Sequence, residues 1–248
     1  MRVLCIFAHP DDESFLVGGT ACWAAARGDS LALVTATRGG AGKVGVPPVC
    51  TPAELPAVRE RELRAACAIL GIADLTLFDY PDRDLAAAPV DEIRARLVAV
   101  IRRVRPHVVI TFDPNGTNLH PDHIAISRFA IDAVTAAADP RWVPESWPPH
   151  ATPRFLWTPP KTPWQSSGVR SQPDIPGSDV ILDVRPWADR KAAALRAHRT
   201  QHLAVERLFF APDAPGRDGA LDVEIFRQAW GPAVPHRPIT DLFAGLDA

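Results

Sequence analysis

The sequence predicts an α/β fold, a Rossmann-like three-layer α/β/α sandwich with a mostly parallel sheet and an irregular C-terminal third. Through residue 140, continuously apolar segments of strand length alternate with helical segments, as in βαβ units. Beyond that point the alternation weakens, and prolines concentrate at 140–176 and 211–238. We therefore expect a single domain over residues 1–248, with a regular βαβ core at 1–140 and Pro-rich loops, short strands and C-terminal helices at 141–248.

Individual strands and helices follow from the same patterns. Apolar runs predict strands at residues 3–8, 31–37, 75–80, 108–112, 155–158 and 180–184. Helical spacing of apolar residues predicts helices at 15–26, 57–70, 90–104, 124–138, 187–198 and 222–229. The helix at 57–70 is typical, because Leu63, Ala66, Cys67 and Leu70 fall on one face and Gly71 follows as a stop signal.

Composition and charge restrict the classes of partner. The 248 residues are 47% hydrophobic and 23% charged, with a net charge of −2, which is ordinary globular composition. A protein that binds nucleic acid would usually be more basic. No apolar run approaches the ~18 residues of a membrane span. We therefore expect a small-molecule partner, and neither nucleic acid nor membrane.

The cysteines and tryptophans give information about the cellular compartment and about homo-oligomer contacts. The four cysteines show no CxxC spacing, so we interpret them as small core residues in a reducing compartment. The N-terminal residues make a poor signal peptide, so we expect a cytoplasmic protein. Four tryptophans lie in the Pro-rich region, and we interpret them as packing contacts or contacts of a homo-oligomer rather than as sugar-stacking groups: Trp142, Trp147, Trp157 and Trp164.

Two polar clusters follow predicted strands. The first strand leads into His9-Pro-Asp-Asp-Glu13, and the strand at 108–112 leads toward His120-Pro-Asp-His123. In open α/β sheets, ligands bind outside the carboxyl ends of the strands, so both clusters are expected at one edge. A single pair of this kind is usually a turn or a helix cap. Two clusters together favour a metal site, because massed carboxylates and imidazoles are costly to bury unless they are paired or bind metal.

The residue types fit a catalytic metal centre. Catalytic Zn²⁺ takes about three His or carboxylate ligands and keeps a position for water. His9, one of Asp11 and Asp12, and one of His120 and His123 supply such a set. One carboxylate and one imidazole then remain, as a base for the water proton and as a partner for an oxyanion. Asp122, between two histidines, can orient one of them.

The two clusters resemble the signature motifs of the LmbE/PIG-L-type zinc deacetylases. Ala8-His-Pro-Asp-Asp-Glu13 matches one motif and His120-Pro-Asp-His123 the other. Further likeness covers most of residues 3–201, including the helix around Arg59 and the segment from Lys191 through His198 to Gln201, which is similar to the mycothiol-type branch.

The resemblance implies roles for single residues. It implies that His9, Asp12 and His123 bind the zinc ion, that Asp11 is the general base, and that His120 faces the oxyanion. It implies that Asp122 tunes the electrostatics of His120. It also implies that four residues contact the substrate, Arg59, Asp82, Asn118 and His198, and that Gln201 lines the site. Asn118 stands where mycothiol-type members often have tyrosine, and Gly40 stands where the family often has glutamate.

The implied reaction is hydrolysis of the N-acetyl group of an N-acetylglucosamine conjugate. Zn²⁺ is the expected cofactor, and Fe²⁺ also suits His and carboxylate ligands. One alternative is an amidase of a glucosamine-linked thiol conjugate. Another is a non-catalytic metal-binding relative, which would have no need for Asp11 and His120.

A glycine-rich segment, Gly40-Ala-Gly42-Lys-Val-Gly45, fits the spacing of a dinucleotide-binding loop. Such a loop must open a helix whose N-terminus holds the pyrophosphate. Val46-Pro-Pro follows instead, so nucleotide binding is not expected, and we interpret the segment as a loop over the substrate.

Overall fold

A computed structural model describes residues 1–158, 178–211, 219, 221–234 and 236–247. Within these residues one seven-stranded sheet has the order β3-β2-β1-β4-β5-β7-β6. The strands are β1 (Arg2–Phe7), β2 (Ser30–Thr37), β3 (Asp74–Tyr80), β4 (Val108–Phe112), β5 (Arg154–Thr158), β6 (Val180–Asp183) and β7 (Val223–Trp230). Strands β1 to β5 run parallel to one another, and β7 runs antiparallel between β5 and β6.

Helices cover both faces of the sheet. They are α1 (Asp12–Leu16), α2 (Gly18–Ala26), α3 (Leu55–Leu70), α4 (Val90–Val104), α5 (Gly116–Leu119), α6 (Pro121–Ala138), α7 (Ala188–Ala197) and α8 (His202–Val205). Helices α2, α3 and α7 pack together on one face, and α4 packs against α6 on the other. The predicted three-layer α/β fold with a mostly parallel sheet is therefore confirmed.

The two central strands explain where a site can form. Every residue from Val3 to Phe7 is fully buried, as are Val108, Val109 and Ile110 of β4. The chain places β2 and β3 on one side of β1, and β4 and β5 on the other. The strand order thus reverses between β1 and β4, and a crevice opens at their carboxyl ends, where Phe7 and Phe112 pack edge to face.

Two of the predicted elements differ from the structure. The helix predicted at 222–229 is wrong, because this segment is strand β7. Val223, Ile225 and Phe226 are buried in this strand. The segment is too short for its apolar pattern to distinguish helix from strand, and its backbone hydrogen bonds to β5 and β6 determine that it is a strand. The helix predicted at 15–26 begins earlier and is interrupted at Val17, which separates α1 from α2.

Several sequence-based expectations concern residues 159–177 and 212–218, including Trp164 and much of the proline-rich segments, and these lie outside the described residues. Of the other tryptophans, Trp142 and Trp147 are exposed, whereas Trp157 packs against the core. Among the described helices, none is long and apolar enough to cross a membrane.

Candidate metal centre and active site

A cavity of about 720 Å³ opens at the carboxyl ends of β1 and β4. Both polar clusters reach it, although more than 100 residues separate them in sequence. Its lining includes His9, Asp11, Asp12, His120 and His123. The sheet thus brings together the catalytic and metal-binding candidates expected from the sequence, apart from Asp122, which lies beneath them and is fully buried.

Three side chains in the cavity present ligand atoms to one point. His9 Nδ1 lies 3.1 Å from His123 Nε2. An Asp12 carboxylate oxygen lies 3.7 Å from His9 Nδ1, and the other lies 3.5 Å from His123 Nε2. Tetrahedral Zn²⁺ with bonds of about 2.0–2.2 Å separates its ligand atoms by about 3.3 Å. The spacings are close to this value, and Asp12 turns one oxygen toward each ring, so its carboxylate and the two ring nitrogens form a triangle of groups that suits such an ion.

Hydrogen bonds behind the two imidazoles decide which ring nitrogens face this point. His9 Nε2 lies 3.0 Å from Asp122 Oδ2 and 3.1 Å from Asp82 Oδ1, so it carries a proton. His123 Nδ1 lies 3.1 Å from the Gly116 carbonyl oxygen and donates to it. The other nitrogen of each ring, His9 Nδ1 and His123 Nε2, faces the Asp12 carboxylate. Either a bound cation or a proton on His9 Nδ1, donated to His123 Nε2, satisfies these facing acceptors.

The two imidazoles of the pair differ in their affinity for a proton. Burial alone would lower the pKa of His9, but hydrogen bonds to Asp122 and Asp82 overcome it and raise the pKa to about 10. Burial and the neighbouring His9 lower the pKa of His123 to about 4. Without a metal ion, one proton on His9 takes the place of the cation, and the two rings do not become cationic together.

Local packing fixes the position of His123. Its ring stacks on Phe112 at the end of β4, with centroids 3.9 Å apart and planes 9° from parallel. Gly116 approaches closely, since a Cβ there would lie 2.8 Å from His123 Cβ, and its φ of +68° favours glycine. Neither Phe112 nor Gly116 is a candidate from the sequence, although the Asp-Pro-Asn-Gly turn after a buried strand signals a tight loop.

Asp11 lies beside the ligand triangle with a different partner. Its carboxylate accepts a hydrogen bond from Arg59 Nη2 at 3.1 Å. Burial raises the pKa of Asp11, although the Arg59 guanidinium acts in the opposite direction. Arg59 is 4% exposed and also donates to the carbonyl oxygens of Gly39, at 3.0 Å, and Pro10. Asp11 is thus a carboxylate held at the cavity by Arg59 rather than by the imidazoles.

His120 caps helix α6, as expected from Pro121 at the first helical position. Its Nδ1 accepts the backbone N–H of Asp122 at 3.2 Å. Burial lowers the pKa of His120, and His9 and His123 lower it further. The half-buried ring therefore favours its neutral form and faces the cavity beside the other two imidazoles, with centroid distances of 4.8 Å to both.

The Asp122 carboxylate acts on His120 only through its charge, which acts to raise the pKa of His120, and it makes its direct contacts elsewhere. We expected its carboxylate to tune His120, but one oxygen contacts His9 Nε2 and accepts the Arg83 N–H at 2.7 Å. The other oxygen accepts the Leu85 N–H at 3.2 Å. The reason is geometric, because Asp122 lies in the first turn of α6 with its side chain turned toward β1 and the loop after β3.

The expected substrate contacts divide into two groups. Arg59, Asp82 and Asn118 line the cavity, as does Gln201. Asp82 also ties the glycine-rich loop to the site, since its second carboxylate oxygen accepts the Ala41 N–H at 2.8 Å. His198 does not line the cavity, and it is fully buried behind α1. The resemblance to the mycothiol-type branch implies contact of His198 with substrate, but its ring meets Glu13 instead, with Nε2 2.7 Å from Glu13 Oε1.

One side of the cavity is apolar, and no candidate from the sequence included it. It is formed by Phe15, Leu16, Leu119 and Leu208. Leu208 belongs to a π-helical turn, Glu206–Phe210, which no pattern in the sequence predicted.

Comparisons with known proteins agree with the fold and the motifs. Residues 4–134 match the PIG-L family, described as GlcNAc-PI de-N-acetylase. A 1D-myo-inositol 2-acetamido-2-deoxy-alpha-D-glucopyranoside deacetylase from Streptomyces griseus is 35% identical over 99% of this chain and 89% of its own length.

Two solved structures are also similar. The conserved protein TT1542 from Thermus thermophilus matches with a TM-score of 0.69 and 27% identity, over 94% of this chain and 96% of its own. The N,N'-diacetylchitobiose deacetylase from Pyrococcus horikoshii matches with a TM-score of 0.70 and 23% identity, over 92% and 83% of the two chains, which supports the fold alone. From the matched residues and the full-length relative, we conclude that this chain belongs to the PIG-L family.

Proposed function

We propose that this protein is a metal-dependent hydrolase that removes the N-acetyl group from an N-acetylglucosamine-type conjugate. The observation that carries the proposal is the triangle of Asp12 Oδ, His9 Nδ1 and His123 Nε2 at the cavity. Asp11 and His120 line the same cavity and are not among these proposed metal ligands. A site that only stored a metal ion would need neither of the last two residues.

In this proposal His9, Asp12 and His123 hold a divalent cation. Zn²⁺ suits the spacing and the donor set, and Fe²⁺ is the other ion that two imidazoles and a carboxylate accept. When bound, the ion supplies Lewis acidity to the amide carbonyl and lowers the pKa of a water molecule. Asp122 and Asp82 keep the His9 proton on Nε2, so that Nδ1 remains available.

Asp11 and His120 move protons and stabilise charge. Asp11 accepts the proton of the attacking water, a role that its buried carboxylate, with a raised pKa, can perform near neutral pH. His120 stabilises the oxyanion that forms at the acetyl carbonyl by donating a hydrogen bond from its Nε2–H, and Asp11 returns the proton it took from water to the departing amine. Arg59 keeps Asp11 oriented, which limits the conformations that the base can adopt.

The cavity suits an amino sugar that carries a second group. Its volume of about 720 Å³ is in the range of small-molecule sites. Arg59, Asp82 and Asn118 offer polar atoms for sugar hydroxyls, and the apolar side offers a surface for the rest of the conjugate. The Streptomyces griseus relative is named as a deacetylase of an inositol-linked acetamido sugar, which supports this substrate class.

Location and assembly are part of the same proposal. We propose a cytoplasmic enzyme, because Cys5, Cys22 and Cys67 are buried free thiols that serve as core residues. Trp142 and Trp147 are exposed and do not line the cavity, and they are the residues that a homo-oligomer contact would use.

The test is a panel of N-acetylglucosamine conjugates assayed for released primary amine and acetate. The protein is compared as purified, after chelation, and after addition of Zn²⁺ or Fe²⁺. We expect activity that chelation abolishes and metal restores. Release of amine without acetate would favour the amidase of a glucosamine-linked conjugate. No turnover of any conjugate by metal-loaded protein would favour the non-catalytic alternative.

A further inference from the structure

The backbone of Asp11 is held in a conformation that this residue rarely adopts. Its φ is +121° and its ψ −28°, a region that glycine occupies freely but a side chain disfavours. Such a conformation is strained and persists only where the surroundings impose it. The residue in question is the proposed base of the reaction.

Glu13 is the group that holds this backbone. Its Oε2 accepts the Asp11 N–H at 3.0 Å, two residues before it in the chain. Its Oε1 accepts the Ser14 hydroxyl at 2.6 Å and lies 2.7 Å from His198 Nε2. The side chains of Glu13 and His198 are both fully buried, so the carboxylate has no freedom to turn away from Asp11.

We propose that Glu13, fixed by His198, is a positioning residue that sets the Asp11 backbone so that the Asp11 carboxylate meets Arg59 at the cavity. Neither Glu13 nor His198 lines the cavity, and both act through Asp11. This inference rests on the proposed role of Asp11 as base. It also explains why His198, expected beside the substrate, lies behind α1 instead.

A second buried glutamate in the same molecule provides a matched control. Glu224 is 3% exposed, pairs with Lys191 at 2.6 Å, and accepts the backbone N–H groups of Gly19 and Thr20. Its bonding thus parallels that of Glu13, which also pairs with a basic side chain, a backbone N–H and a hydroxyl. Glu224 serves the start of α2 and does not line the cavity, so its loss affects stability without displacing Asp11.

The experiment compares Glu13→Ala, Glu13→Gln and Glu224→Gln in the metal-loaded enzyme. We expect Glu13→Ala to retain its metal and its KM but to lose about tenfold or more in kcat, because a displaced base reacts poorly. Glu13→Gln should recover most of the kcat, since an amide oxygen can accept the Asp11 N–H while its NH₂ faces His198 Nε2. Glu224→Gln should keep the wild-type kcat.

Two further measurements keep the inference falsifiable. In an Asp11→Asn background, Glu13→Ala should cause no further loss, because its effect passes through Asp11. The proposal would be overturned by additive losses of kcat in the double variant, or by a wild-type kcat in Glu13→Ala. A kcat in Glu13→Gln that is as low as in Glu13→Ala would overturn it too. If Glu13→Ala does not fold, His198→Ala replaces it, with a several-fold lower kcat at unchanged KM expected and an unchanged kcat contradicting the inference.

A structural readout separates this inference from the proposed function. In a crystal structure of Glu13→Ala, Asp11 should leave its positive φ and its carboxylate should leave Arg59. That result would support the positioning role even if the wild-type protein proved inactive on every amino-sugar conjugate. An unchanged Asp11 would refute it even in an active enzyme.

Discussion

The molecule contains two buried clusters of charge that are built in opposite ways. Around Glu224, each carboxylate oxygen meets a donor, from Lys191, Gly19 or Thr20. Around Asp12, the carboxylate and the free nitrogens of His9 and His123 face one another at 3.1–3.7 Å. In the first cluster donors match acceptors, and the cluster serves the fold. In the second, acceptors outnumber donors, and the arrangement fits a cation.

The largest effect should follow from removing a metal ligand. His9→Ala or His123→Ala leaves two of the three atoms of the triangle, so we expect loss of the metal and a fall in activity of about 10³-fold or more, since Lewis acidity contributes several kcal/mol. Elemental analysis and the amine-release assay measure both. His107→Ala, a histidine remote from the cavity, is the control. Wild-type metal content in both ligand variants would reject the assignment.

The next effect should come from Asp11→Asn. The amide keeps the shape of the side chain but cannot accept the water proton, so we expect full metal content and a kcat lower by about 10²–10⁴-fold. Asp132→Asn, which alters a carboxylate paired with Arg94 away from the cavity, should leave kcat unchanged. Turnover near the wild-type rate would remove Asp11 from the role of base.

His120→Ala should cost slightly less. Loss of one group that stabilises an oxyanion lowers kcat by about 10²–10³-fold, or ~3–4 kcal/mol. We expect the metal content to remain, because His120 lies outside the proposed triangle. His120 lies close enough to His9 and His123 to be a ligand instead. Loss of metal in this variant would give it that role and sharpen the division between ligands and catalytic groups.

The smallest effect on activity should come from a change in the cluster around Glu224. Lys191→Met leaves Glu224 buried without its cation, so we expect the free energy of unfolding to fall by about 3–5 kcal/mol. The metal content and kcat of the folded protein should stay at wild-type values. Denaturant titration and the activity assay together test this. A change in kcat without a change in stability would mean that the two clusters are coupled.

The sequence predicted much of the site because its residues follow two buried strands that lie side by side in the sheet. His9 and Asp12 come directly after β1, and His123 begins α6 after β4, so the parallel topology alone places them together. The proline at position 121 likewise indicated the start of α6 and the cap formed by His120.

Other features depended on contacts that no local pattern encodes. Glu13 meets His198 across 185 positions of sequence, and Asp122 turns to His9 rather than to its neighbour His120. Strand β7 has a short pattern that also suits a helix, and only its ladders to β5 and β6 decide the outcome. The division into a single domain stays a prediction.

The metal triangle is tested most directly by anomalous diffraction at the zinc absorption edge from crystals grown with Zn²⁺. We predict one strong peak about 2.0–2.2 Å from Asp12 Oδ, His9 Nδ1 and His123 Nε2. A peak on the other side of the His9 ring, between Asp82 and Asp122, would contradict the assignment, as would the absence of any peak in the cavity.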